Sequence, residues 1–117
     1  VVRARVAVGP NPRHLAVTGD GARVLVARFV TPPLPGESTA AVQTVAGGAP
    51  VGGEVVVVAA AAASVERTIV LRHSDRADTA VAGRGVPNYL GAPAIAPDGR
   101  SAWIPSKQDN VRRGALR

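Results

Sequence analysis

Leu15-Ala16-Val17-Thr18-Gly19-Asp20-Gly21 and, 78 residues later, Pro93-Ala94-Ile95-Ala96-Pro97-Asp98-Gly99 decide how this chain folds. Each copy runs into Asp-Gly and is followed by a second β-prone stretch, Val24-Leu25-Val26 after the first and Ala102-Trp103-Ile104 after the second. Asp-Gly between two such runs is a strong hairpin signal. Glycine accepts the positive φ the turn needs, and the aspartate side chain bonds the turn backbone. Each copy also follows a proline–asparagine element, Pro10-Asn11-Pro12 and Pro87-Asn88. One hairpin occurs twice.

Between the copies lie two further strand signals. Gly53-Glu54-Val55-Val56-Val57-Val58 is a β-branched run suited to a strand buried on both faces. The alanines 59–63 are too few for a stable helix and read as a strand end and loop, with a helical turn as the alternative. Val65 to Leu71, within Ser64 to Ser74, is the next strand, and a polar connection through Asp75, Arg76 and Asp78 follows. Residues 30–53 open with Thr31-Pro32-Pro33-Leu34-Pro35-Gly36, where prolines deny donors to a ladder, and read as an exposed excursion. Ala40 to Val45 can add a short strand within it. At the N-terminus, Val2 to Val8 alternate as a short strand that Gly9-Pro10-Asn11-Pro12 stops.

A repeated strand–Asp-Gly–strand unit with two strands between its copies points to an all-β fold built of four-stranded antiparallel blades, a β-propeller. The chain then holds about one full blade and parts of two neighbours. Residues 1–8 are the last strand of the preceding blade, 13–74 one blade with the Pro/Gly-rich insertion at 30–53, and 86–117 the start of the next. The repeat is longer than the usual propeller spacing, and the insertion accounts for most of the excess.

Composition agrees with this and narrows the partners. Apolar residues make up 46% of the 117 but aromatics only 3%, so the core is built from Val, Ala, Leu and Ile. Thirteen glycines and ten prolines imply frequent turns. The net charge of +6 comes from scattered arginines and a single lysine, and stacking aromatics are nearly absent, which argues against nucleic acid. No cysteine is present, so these residues contain no disulfide, thiolate metal site or Cys-x-x-Cys-His haem attachment. Val55 to Ala63, the longest apolar run, falls well short of the roughly 20 residues that span a bilayer. The first residues lack the apolar core of a signal peptide.

Pro12-Arg13-His14-Leu15-Ala16-Val17 with Asp20-Gly21, and Ala94-Ile95-Ala96-Pro97-Asp98-Gly99, resemble the YVTN family of β-propeller repeats. The resemblance covers most of the chain outside 30–53. It departs where the second strand carries Val26-Ala27-Arg28-Phe29 or Ile104-Pro105-Ser106-Lys107 in place of the Tyr-Val-Thr-Asn signature. Gly85-Val86-Pro87-Asn88-Tyr89-Leu90 and Pro105 to Gly114 look like a subset of large bacterial extracytoplasmic proteins. In these a propeller is joined to a c-type cytochrome or di-haem peroxidase-like module. The resemblance implies a periplasmic or extracellular location, the remaining blades of the parent chain as partners, and haem c, if present, in a module outside this chain. No cofactor is expected within these residues, because no haem ligation motif lies in them.

No catalytic constellation is legible. Asp20 and Asp98 are turn residues by context. His14 and His73 have no further ligand at metal spacing. Gly83-Arg84-Gly85 and Gly47-Gly48 lack the helix and Lys-Ser or Lys-Thr of a phosphate loop. Trp103 reads as a packing residue. The most polar segment, Ser106 to Arg113, follows a strand, and propeller loops at one end line the channel mouth. Asn88 and Tyr89 precede the same unit and can approach it. Lys107, Arg112 and Arg113 are candidates to face an anionic group, with Asp109 and Asn110 as oxygen ligands for a cation. In the plainer reading Asp109 pairs with Lys107 or Arg112 and Asn110 closes a turn. The function expected is a scaffold presenting loops to a partner or ligand. The alternatives are the propeller arm of a haem redox enzyme, or a propeller lactonase with acidic residues converging on the channel.

Overall fold

The computed structural model describes residues 1–9, 11–28, 43–44, 50–72 and 85–109, and among these it is all-β with no helix. Strands β1 (Pro12–Val17), β2 (Arg23–Arg28), β4 (Pro50–Ala59) and β5 (Ser64–Arg72) pair in that order as a four-stranded antiparallel sheet. β3 (Gln43–Thr44) pairs with the start of β4, opposite Val51 and Pro50. Because Val51 faces Gln43 on one side and Arg72 on the other, β3 extends the same edge of β4 that β2 occupies. The short strand expected within Ala40 to Val45 is therefore β3, while the rest of the excursion up to residue 49 lies outside the described residues.

The alternation of β2 and β4 sorts their side chains onto two faces. Val26, Val56 and Val58 form a buried cluster on one face, joined by Val6, Val8 and Val24. Ala27 and Val55 lie on the other with Leu90, and Leu25, Leu71 and Ile104 pack around them. One wall of the second cluster therefore comes from the segment that carries the second copy of the repeat. β4 has both faces covered, as its unbroken valine run requires. Val55, Val56 and Val57 are each at most 3% exposed.

That segment holds β6 (Val86–Asn88), β7 (Ala94–Ile95), β8 (Ala102–Trp103) and β9 (Lys107–Asp109), paired as β6–β9 and β7–β8. The β7–β8 hairpin repeats β1–β2 residue for residue. Ala16 faces Leu25 and Val17 faces Val24 in the first; Ala94 faces Trp103 and Ile95 faces Ala102 in the second. The turn bonds recur at the same offset. Gly21 N donates to Thr18 O at 2.8 Å and Gly99 N to Ala96 O at 2.9 Å. Thr18 N reaches Arg23 O, and Ala96 N reaches Ser101 O, both at 2.9 Å. Asp20 Oδ1 accepts from Ala22 N at 2.9 Å, and Asp98 Oδ1 from Arg100 N at 3.0 Å. Gly21 and Gly99 have φ of 69° and 67°. The sequence repeat is a structural repeat.

The first turn has one addition: Thr18 Oγ1 donates to Asp20 Oδ1 at 2.5 Å, and Arg23 N donates to that hydroxyl oxygen at 3.0 Å. The Thr18 hydroxyl, followed by the Ala22 amide, holds the Asp20 carboxyl below its ordinary pKa. A depressed carboxyl contributes stability above its unfolded pKa, and that contribution is lost as pH falls through the folded value. The turn is therefore expected to weaken only below about pH 4. Thr18→Val should move the Asp20 midpoint back up in a carboxyl-detected NMR titration; an unchanged midpoint would rule out the hydroxyl as the cause.

Four expectations need correction. Val2 to Val8 form no described strand. Val6 and Val8 lie on the sheet face, without a hydrogen-bonded ladder to the other described residues. β4 begins at Pro50, so Pro50 to Gly53 belong to the sheet; the ladder absorbs Gly53 as a bulge with φ of 57°. Lys107 to Asp109, read as loop, form β9 because Val86 to Asn88 offer them a partner strand. Trp103 is 65% exposed: it repeats the position of Leu25, and on the second hairpin that face turns away from the first sheet. The alanines after β4 make a turn at 60–63, closed by Ala63 N donating to Ala60 O at 3.3 Å.

Candidate functional site

The β6–β9 pair carries the described part of the polar site. Val86 faces Asp109, Pro87 faces Gln108 and Asn88 faces Lys107 in antiparallel register. Immediately after β6 the chain turns at Tyr89, whose φ is 50°. Leu90 then enters the core with no exposure, so the site is anchored from below. On the return side Gly91 N donates to Pro105 O at 2.8 Å, which fixes the approach to β9. A Cβ on Gly91 would lie 2.7 Å from Pro105 Cγ, so a larger residue would push the proline ring aside.

Held this way, Lys107 places its ammonium 5.1 Å from the centroid of the Tyr89 ring. That is a cation–π contact, worth about 0.5–1 kcal/mol at an exposed position. Lys107 is exposed and Tyr89 half-buried, so the ammonium lies at the surface on an aromatic support. Such a pair can orient a positive charge toward an anionic group. It supplies recognition rather than bond-making chemistry.

Of the sequence-predicted residues, Asn88, Tyr89, Lys107 and Asp109 come together on this strand pair. Asn110, Arg112 and Arg113 lie outside the described residues, as does His73. Asp20 and Asp98 serve their turns. Among the described residues no group of three His, Asp or Glu side chains could hold a metal, and no helix is long and apolar enough to cross a membrane.

Sequence reasoning passed over two charged groupings. Arg28 and Glu54, neighbours on β2 and β4, form a buried ion pair with side chains 6% and 12% exposed. The signal available was a charge of each sign flanking the apolar runs, which sequence spacing alone does not pair. Arg23 Nε donates to Glu66 Oε2 at 2.7 Å across the opposite end of the sheet. This contact lowers the Glu66 pKa and raises that of Arg23. Compared with known proteins, the chain matches no family model, no curated protein and no solved structure.

Proposed function

We propose that this chain is part of a β-propeller and works as a binding scaffold, in keeping with its resemblance to YVTN repeats. Stacked antiparallel sheets supply the rigid frame. Loops and short strands at one end, including Tyr89 and Lys107, supply contacts to a partner or ligand with an anionic group. One observation carries the reading: the second hairpin repeats the first in register and turn bonding, and its segment packs on the first sheet. Units that repeat and stack face to face are how a propeller covers its sheets.

The faces left open fit the same arrangement. Leu15 and Val17 on β1 are 64% and 54% exposed on the face away from the second hairpin, and Trp103 is exposed on the second hairpin's far face. A further blade on each side would cover them. The test is the coding sequence on both sides of these residues. Further strand–Asp-Gly–strand units with four-strand spacing are expected. Flanks without any such unit would overturn the reading.

A further inference from the structure

Where the second hairpin lies over the first sheet, the two do not close completely. A cleft of about 370 Å³ remains between β2, β4 and β5 on one side and the β7–β8 hairpin on the other. That volume lies in the range of small-molecule sites. Its apolar lining comes from Leu25 and Ile69 on the sheet and Ile95 on the hairpin. Its charged lining is Arg23, Arg67 and Glu66 from the sheet and Arg100 from the turn after Asp98.

The lining carries three guanidiniums against one carboxylate. Glu66 is taken up by Arg23, at 2.7 Å. Arg67 adds its charge to the field that lowers the Glu66 pKa, and among the described residues neither Arg67 nor Arg100 makes a hydrogen bond or salt bridge through its guanidinium. They approach the cleft from opposite walls, Arg67 from β5 and Arg100 from the second turn. An excess of guanidiniums beside an apolar lining suits an anion with an apolar body. The guanidinium fork matches a carboxylate in two parallel hydrogen bonds. A fully hydrated inorganic anion would gain nothing from Leu25, Ile69 and Ile95.

We propose that this cleft binds a small organic carboxylate, its carboxylate held by Arg67 and Arg100 and its short apolar body lying on Leu25, Ile69 and Ile95. The site is separate from the Tyr89–Lys107 pair and does not depend on the propeller reading.

Hexanoate, titrated into the 117-residue chain and followed by amide chemical shifts, is the direct test. Saturable shifts centred on Leu25, Ile69, Ser101 and Ala102 are expected. Arg67→Gln and Arg100→Gln should each weaken hexanoate about tenfold, the loss of a charged hydrogen bond. Arg3→Gln, outside the cleft, should bind as the parent does. Arg100 is exposed on a turn, so its variant remains informative if Arg67→Gln fails to fold. Equal affinity for 1-hexanol would reduce the cleft to an apolar contact and overturn the proposal. So would tighter binding of inorganic phosphate than of hexanoate, or undiminished hexanoate binding by Arg100→Gln.

Discussion

Gly53→Ala is expected to destabilise the fold by about 3–4 kcal/mol and to loosen residues 85–109 from the sheet. Two costs add. Gly53 has φ of 57°, where an L side chain costs about 1–2 kcal/mol. Its Cβ would also lie 2.4 Å from the Pro87 carbonyl oxygen, a backbone atom that cannot swing aside. Forcing such contacts costs typically 1–3 kcal/mol more. Gly21→Ala separates the two: its φ is 69°, but nothing lies within 4 Å of the added carbon. Only the first cost, about 1–2 kcal/mol, should appear there. Denaturant melts of both variants measure the difference. Equal losses would mean that β6 does not cross the bulge this closely.

Glu54→Gln should cost about 3–5 kcal/mol, because it takes the carboxylate out of a buried ion pair with Arg28. The damage should extend to the N-terminal residues, since the guanidinium packs within 3.5 Å of where a Cβ on Gly9 would be. Val6 and Val8 lie on that same face. Replacing both partners, Arg28→Met with Glu54→Leu, should recover most of the loss, because an apolar pair of similar volume carries no desolvation penalty. A double variant as unstable as Glu54→Gln would mean that the two charges are not coupled.

The Asp-Gly hairpins were legible because their chemistry is local. Glycine's positive φ and the aspartate bond to the amide two residues on lie within five residues, and both copies obey them. The valine run of β4 was legible as a strand buried on both faces. Its start was not, because Pro50 and Gly52-Gly53 look like a loop and only the partner strand β5 shows that Gly53 is a bulge. Trp103 misled because hydrophobicity reports a preference for burial and not which face of a hairpin has a neighbour. The nearness of Asn88 and Tyr89 to Lys107 followed from their flanking one hairpin. The antiparallel register that joins them is non-local and had no sequence signal. The cleft arginines were hidden for the same reason: β5 and the second turn meet only in three dimensions.

The central claim is that two copies of one hairpin unit stack, with the segment of the second packed on the face of the first sheet. Methyl–methyl nuclear Overhauser contacts in the isotope-labelled chain test this directly. Leu90 and Ile104 are expected to show contacts to Ala27 and Val55, alongside slow exchange of the Gly21 and Gly99 amides. Protected turn amides without those contacts would mean that the hairpins form but do not stack, which would contradict the account.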